Sequence, residues 1–341
     1  MLPLFLNQNE WNKEGTTVLA ADLGATKTDV GLFRIEQNQL VTLREGTYSS
    51  QQFKSANKIL DLFLKDISLP NILSLAVAGP VINNKANITN LLWEIERDEI
   101  ASHVGIQDLY LINDLEATAF GLAMLTEKDT VMIHKGSENP IGNAAVIAPG
   151  TGLGEAGLFW DGKFYHPFAT EGGHSDFASR NSFDFALYEY LQNKFGHVSW
   201  ERVVSGPGIS NIYKFLRDEK KREEPEWLSN KIQQGELPAV ISRSVERSEL
   251  CKETMQLFIR FFAFESANFV VKLKATGGLF IGGGIAPQNI RLFEQFKFND
   301  SFCSSGRLNF LLEKVPVKVI LNPKTALLGA AFYGAKNSLT K

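Results

Sequence analysis

Apolar positions follow two rhythms along this chain. Uninterrupted runs such as Thr17-Val18-Leu19-Ala20-Ala21 and Ala144-Ala145-Val146-Ile147-Ala148 read as strands, as do residues 71–78, 108–112, 278–281 and 317–321. The first two runs each meet a glycine-rich turn and then a second β-rich stretch, Asp29-Val30-Gly31-Leu32-Phe33 and Ala156-Gly157-Leu158-Phe159-Trp160. That predicts strand, tight turn, strand, once in each half of the chain. The first hairpin continues through residues 40–45, and a second strand set runs from near Thr130 to Phe164-Tyr165. Helical spacing marks residues 55–64, 115–125, 183–195 and 208–215, a long helix over 238–275 and a small-residue helix over 326–334. Strands alternating with helices indicate an α/β protein. Residues 217–226 carry charges of both signs and read as a solvated helix end or insertion.

Composition narrows the function classes. A chain of 341 residues is long enough for about two domains, each with its own core. Net charge is −3, with no long basic block, which gives no support to nucleic-acid binding. The phenylalanine-rich stretch 258–269 contains Arg260 and Glu265, so it predicts a buried amphipathic helix and no membrane span. The amino-terminal Met1-Leu2-Pro3-Leu4-Phe5-Leu6 is short and lacks the basic flank of a secretory signal. Residues 1–15 are otherwise polar and unpatterned and read as an extension. Cys251 and Cys303 form no close pair, so neither a disulfide framework nor structural zinc is expected, and a reducing cytoplasm is the default.

The two turns are Asp22-Leu23-Gly24-Ala25-Thr26-Lys27 and Pro149-Gly150-Thr151-Gly152-Leu153-Gly154. Successive N–H groups in glycine turns form nests that hold anions, and two facing turns could grip a polyphosphate. Plain hairpin turns remain the alternative. Asp22 is informative because a carboxylate beside a phosphate nest repels the anion unless Mg²⁺ lies between, held directly or through water. Lys27 could add positive charge there or simply face solvent. Gly152-x-Gly154-x-x-Gly157 matches a dinucleotide fingerprint in form, but a strand follows it where that fold needs a helix. No P-loop signature occurs.

Asn113-Asp114 lies where a strand gives way to a helix. One reading is a helix N-cap; the other makes Asp114 the base that takes a proton from an attacking hydroxyl. Glu171-Gly172-Gly173-His174 offers two polar side chains around two glycines, suited to vicinal sugar hydroxyls that donate and accept together. Glu201 precedes the turn Ser205-Gly206-Pro207-Gly208 and is equally readable as a surface glutamate. Acidic and amide groups without a basic cluster favour a neutral polyol acceptor.

Taken in order, Leu111-Ile112-Asn113-Asp114, Gly150-Thr151-Gly152-Leu153-Gly154, Glu171-Gly172-Gly173-His174, Glu201-Arg202-Val203-Val204-Ser205-Gly206-Pro207-Gly208 and Gly282-Gly283-Gly284-Ile285 resemble the bacterial glucokinase family. The resemblance spans about Val18 to Gly334. It implies an actin-like ATPase (ribonuclease H-like) fold of two α/β domains with a cleft between them. The small domain would comprise residues 16–125 plus 326–341, the large one residues 126–325, with closure over the sugar and assembly as a homodimer. It implies ATP-dependent phosphorylation of glucose at its 6-hydroxyl, an early step of glycolysis. Ala21, Asp22, Leu23, Gly24, Ala25, Thr26 and the 150–152 turn (Gly150, Thr151, Gly152) would meet the ATP phosphates, with Asp22 toward Mg²⁺ and Gly283 and Gly284 near adenosine. Asn113, Asp114, Glu171, His174 and Glu201, with Gly152 beside them, would hold glucose, Asp114 acting as base. Ala25 and Lys27 depart from the family's usual glycine and asparagine. Lys27 is similar instead to the related repressor, open-reading-frame and kinase family, whose cysteine-rich zinc motif this chain lacks. Kinases for another hexose or an N-acetylhexosamine, a polyphosphate-dependent glucokinase, and a non-catalytic sugar sensor are the rival readings.

Overall fold

The computed structural model describes residues 2–4, 11, 13–88 and 91–337. The chain divides into two compact units, one of residues 1–129, 156–169 and 322–341, the other of residues 130–155 and 170–321. Most of Asn7 to Asn12, on which the reading of an extension rests, lies outside the described residues.

The first unit opens with β1 (Thr17–Leu23), β2 (Lys27–Glu36) and β3 (Gln39–Ser49), then α1 (Ala56–Leu64) and β4 (Ile72–Val77). A small hairpin, β5 (Lys85–Ile88) with β6 (Trp93–Glu96), leads to α2 (Arg97–Val104), β7 (Asp108–Asn113) and α3 (Asp114–Gly121). The sheet order is β3-β2-β1-β4-β7, with the first three antiparallel and β1, β4 and β7 parallel. Alternation along β1 sends Leu19, Ala21 and Leu23 to one face, against Ile59, Leu60 and Phe63 of α1 and Ile100 of α2. Ala20 goes to the other face, with Ala76, Ala117 and Phe120. At the amino terminus Leu4 bridges to Tyr165, whose N–H donates to the Pro3 carbonyl at 2.8 Å, and Trp11 packs edge-on against Phe332.

The second part of the chain supplies β8 (Thr130–His134), β9 (Ala144–Pro149), β10 (Leu153–Trp160) and β11 (Tyr165–Thr170). Helices α4 (Ser182–Phe195), α5 (Gly206–Asp218), α6 (Glu226–Gln233), α7 (Leu237–Arg243) and α8 (Glu249–Leu273) follow. Next come β12 (Gly278–Ile281), four short helices α9 (Ile285–Gln288), α10 (Ile290–Gln295), α11 (Phe298–Phe302) and α12 (Asn309–Leu312), then β13 (Val317–Ile320) and α13 (Thr325–Lys336). Their sheet runs β11-β10-β9-β12-β13-β8. Its first five strands repeat the order of the other sheet, hairpin partners on one side and parallel crossovers on the other.

The expected single helix over 238–275 is two. Val245 turns inward at 1 % exposure, and the Ser248 hydroxyl caps α8 by accepting the Cys251 N–H at 3.3 Å, so serines that compete for backbone hydrogen bonds break the run. Phe258, Phe261 and Phe262 of α8 are buried in the core of this unit, as the pattern predicted. Among the described residues no helix is long and apolar enough to cross a membrane. The charged stretch after α5 is tied down by Arg217 to Glu224 and by Arg222 to Glu253.

Candidate functional site

In the first unit three parallel strands end level. Leu23 of β1 pairs with Val77 of β4, which pairs with Asn113 of β7, so the chain leaves all three at one edge of the sheet. Strands lie about 4.8 Å apart, which puts the ends of β1 and β7 roughly 10 Å from each other. The turn after β1 needs glycine at its first position, because a Cβ on Gly24 would come 2.7 Å from the Lys27 carbonyl oxygen. The Ser50 hydroxyl donates to the Gly24 carbonyl at 2.7 Å, and the Ser50 N–H donates to the Thr26 carbonyl at 3.0 Å. The turn is therefore built rather than loose. Burial, and then the charge of Asp29, push the Asp22 carboxyl up to about 7, only partly opposed by Lys27. Lys27 is otherwise engaged: its ammonium pairs with Asp29 at 2.5 Å.

Asn113 is the N-cap of α3. Its side-chain oxygen accepts the N–H groups of Leu115 at 2.9 Å and Glu116 at 3.2 Å, while its amide donates to the Gly79 carbonyl at 3.0 Å. With the residue 6 % exposed, an amide has one donor left for anything else. The capping reading thus holds for Asn113. Asp114, the first residue of α3, is half-buried and receives the Leu115 N–H at 2.9 Å on Oδ1. The amino end of a helix favours its negative charge.

In the second unit the remaining motifs converge on the β9–β10 turn. The Gly150 N–H donates to the Gly152 carbonyl at 2.8 Å, and the Gly150 carbonyl accepts the Gly206 N–H at 2.9 Å, where α5 begins. The Glu201 carboxylate accepts the Leu153 N–H at 2.9 Å and stands 2.5 Å from where a Cβ on Gly152 would be. Glu201 is no ordinary surface glutamate. A methyl on Gly173 would overlap the Leu153 carbonyl, so the 171–174 turn rests on the backbone of β10 and only glycine allows that approach. Glu171 and His174 on either side are exposed. The turn is stitched to the Glu201 segment by the Trp200 N–H donating to the Ser175 carbonyl at 2.9 Å. Trp200 anchors this corner beneath, edge-on to Phe177 at 5.0 Å. Gly283, at φ +74°, lies against the Pro149 carbonyl with no room for a Cβ, and the Gly282 N–H donates to Ile147 at 2.8 Å.

Each unit therefore gathers its own set. Ala21 to Thr26 with Asn113 and Asp114 stand at one sheet edge of the first, and Gly150, Thr151, Gly152, Glu171, His174, Glu201, Gly283 and Gly284 around one hairpin of the second. Among the described residues no group of three His, Cys, Asp or Glu side chains is placed to hold a metal ion. Sequence reasoning passed over two residues. Ser205 caps α5 by accepting the Gly208 N–H at 3.0 Å and donates to the Glu201 carbonyl at 2.7 Å. The other, Glu155, is the lone acidic residue inside the apolar β10, and that isolation was its only signal.

The family model for glucokinase matches residues 19–337. The chain is 37 % identical over 339 residues to the glucokinase of Nostoc punctiforme, covering 94 % of this chain and 99 % of the relative. It is 36 % identical to the glucokinase of Synechocystis over 351 residues, 95 % and 99 % of the two chains. Among solved structures it resembles a glucokinase from an Antarctic psychrotroph, with a TM-score of 0.75 and 29 % identity over 93 % of this chain and 98 % of that one. The fold is the actin-like ATPase fold of those kinases. With its family model matched nearly end to end, this chain belongs to the glucokinase family.

Proposed function

We propose that this protein transfers the terminal phosphoryl group of ATP to the 6-hydroxyl of glucose. The proton of that hydroxyl goes to the Asp114 carboxylate, the freed oxygen bonds to the γ-phosphorus, and the bond to the β,γ-bridging oxygen breaks to release ADP. Glu171, His174 and Glu201 hold the sugar, carboxylates accepting from its hydroxyls and the imidazole donating or accepting. In the 24–26 and 150–152 turns the N–H groups of Ala25, Thr26, Thr151 and Gly152 donate to phosphate oxygens, those of Gly24 and Gly150 being taken by the Lys27 and Gly152 carbonyls, with the 282–284 turn toward the adenosine. Asn113 acts here chiefly by holding the start of α3, since its polar atoms are mostly spoken for.

Family membership names the reaction. The observation that carries the residue assignment is Glu201, a carboxylate pinned on Gly152 in the glycine turn and stitched to the 171–174 turn. An acid at that junction fits a neutral polyol lying beside a phosphate group.

Asp22 suits a magnesium ion held mainly by nucleotide phosphates and water. It is a desolvated carboxyl beside a second carboxylate, and the nearby lysine is taken up by Asp29. A dedicated protein cage is not needed for such an ion, which keeps most of its waters. When bound it would neutralise charge on the phosphate oxygens. Homodimeric assembly and a cytoplasmic location complete the reading through the family resemblance.

A coupled assay of the purified protein against a panel of hexoses and N-acetylhexosamines, with ATP or polyphosphate, tests this. Glucose with ATP should give the highest kcat/KM. Turnover confined to an amino sugar, or to polyphosphate, would overturn the assignment.

A further inference from the structure

Beneath the 171–174 turn lies a pair of buried acids that the proposed reaction does not use. Glu155 of β10 is 1 % exposed and Glu265 of α8 is 0 % exposed. No donor from the described residues reaches either side-chain oxygen of Glu155, or Oε1 of Glu265. The Glu265 carboxyl has the Asn268 amide at 2.9 Å on one oxygen and the Lys272 ammonium at 3.6 Å from the other. The charge of Glu265 acts directly on the Glu155 carboxyl, so the two acids are buried neighbours. Two bare carboxylates are strongly disfavoured in such a place, and one proton shared between them would satisfy an oxygen on each. On its other side the Glu155 carboxyl touches Gly172 so closely that a methyl there would overlap Oε2. The Thr170 hydroxyl donates to the Glu155 carbonyl at 3.0 Å and accepts the Gly172 N–H at 3.2 Å.

We propose that Glu155 is a positioning residue for the 171–174 turn, its carboxyl bonded to that of Glu265 and wedged under Gly172, so that this pair sets where Glu171 and His174 stand. The role presupposes the sugar-binding reading of that turn. Loss of the shared proton would leave two negative charges side by side. Lys272 and the more distant Arg180 only partly offset them, while Asp184, packed nearby on α4, is engaged by Arg260. The movable partner is Glu155, because Asn268 and Lys272 hold Glu265, and its way out is through Gly172. Burial, with the neighbouring acid, pushes Glu155 up to about 8, and Glu265 is raised as well. Sugar affinity should therefore weaken on the alkaline side.

The sign for stability follows from the same protons. Between the ordinary carboxyl value of 4.5 and about 8 the folded chain keeps a proton on Glu155 that the unfolded chain has released. Stability therefore falls as pH rises through that window and levels off above it.

The test is glucose KM and kcat from neutral pH to about pH 9.5 for the wild type and Glu155→Gln, with melting temperatures over the same range and down to about pH 5. An amide donates to the Glu265 carboxylate without needing the shared proton. The wild-type KM should rise by up to about tenfold per pH unit gained above the transition, with kcat changing less than about twofold, and the variant's KM should stay flat. The variant should also lose less stability between acid and alkaline pH. If Glu155→Gln does not fold, Glu265→Gln restores a donor from the opposite side and must show the same flattening. A wild-type KM that is flat, or a rise that persists in a folded variant, overturns the proposal while leaving the kinase intact. A wild type that phosphorylates no sugar sinks the functional reading, and this role with it.

Discussion

Replacing Asp114 by asparagine should lower kcat by at least about 10²–10⁴-fold while leaving glucose binding within a few-fold of wild type. The amide keeps the shape of the side chain and still accepts the Leu115 N–H through its oxygen, now at 2.9 Å from Oδ1, so α3 should start at the same residue. It has no lone pair basic enough to take the hydroxyl proton. Phosphoryl transfer otherwise depends on positioning and charge neutralisation, so under the proposed reaction the substitution removes the one proton acceptor assigned to the protein. Loss of a negative charge at the amino end of a helix costs stability only about 0.3–1 kcal/mol, too little to confuse the result. Steady-state assays paired with calorimetric glucose titration separate the two quantities. A variant of near-normal rate would remove Asp114 as the base.

The second large effect is expected far from any polar chemistry. Helices α3 and α13 meet at Gly121 and Gly329, where their backbones lie so close that neither position has room for a Cβ. A methyl on Gly329 would overlap the Ala117 carbonyl, and one on Gly121 would overlap the Thr325 carbonyl. Gly329→Ala must push the helices apart and open the small-residue layer of Ala20, Ala76, Ala117 and Ala330 beneath them. Overpacking of this kind costs about 1–3 kcal/mol. That corresponds to a fall of several degrees in the first unfolding transition, at about 2–4 °C per kcal/mol for a unit of roughly this size. Because α3 begins with Asp114, kcat should fall as well, by more than KM changes. Differential scanning calorimetry and the coupled assay read both. An unchanged melting profile would mean that the helices do not touch at these glycines.

Much of this was legible residue by residue. The β1–β2 and β9–β10 hairpins follow from apolar runs around glycine turns, and both formed where expected. Helix 326–334 came from small residues at close spacing, and it is those residues that let α13 approach α3. The break between α7 and α8 was missed because apolar spacing continues across it while serines redirect the backbone. The short α9 to α12 were missed because none is long enough to show a helical period.

At the site the division is one of distance along the chain. By itself the sequence determined which local pieces could exist: turns whose glycines bare N–H groups, a strand ending in Asn113-Asp114, a glycine pair flanked by Glu171 and His174. Those depend on neighbours a few residues away. Only the tertiary structure decided that Asn113 spends its amide on Gly79, that Lys27 answers to Asp29, and that Glu201 binds the N–H of Leu153. It alone decided that the Glu155 carboxyl lies beneath Gly172 with the charge of Glu265 acting on it. A side chain's free energy is set by the groups that replace its water, and in a folded chain those come from strands and helices far off in sequence.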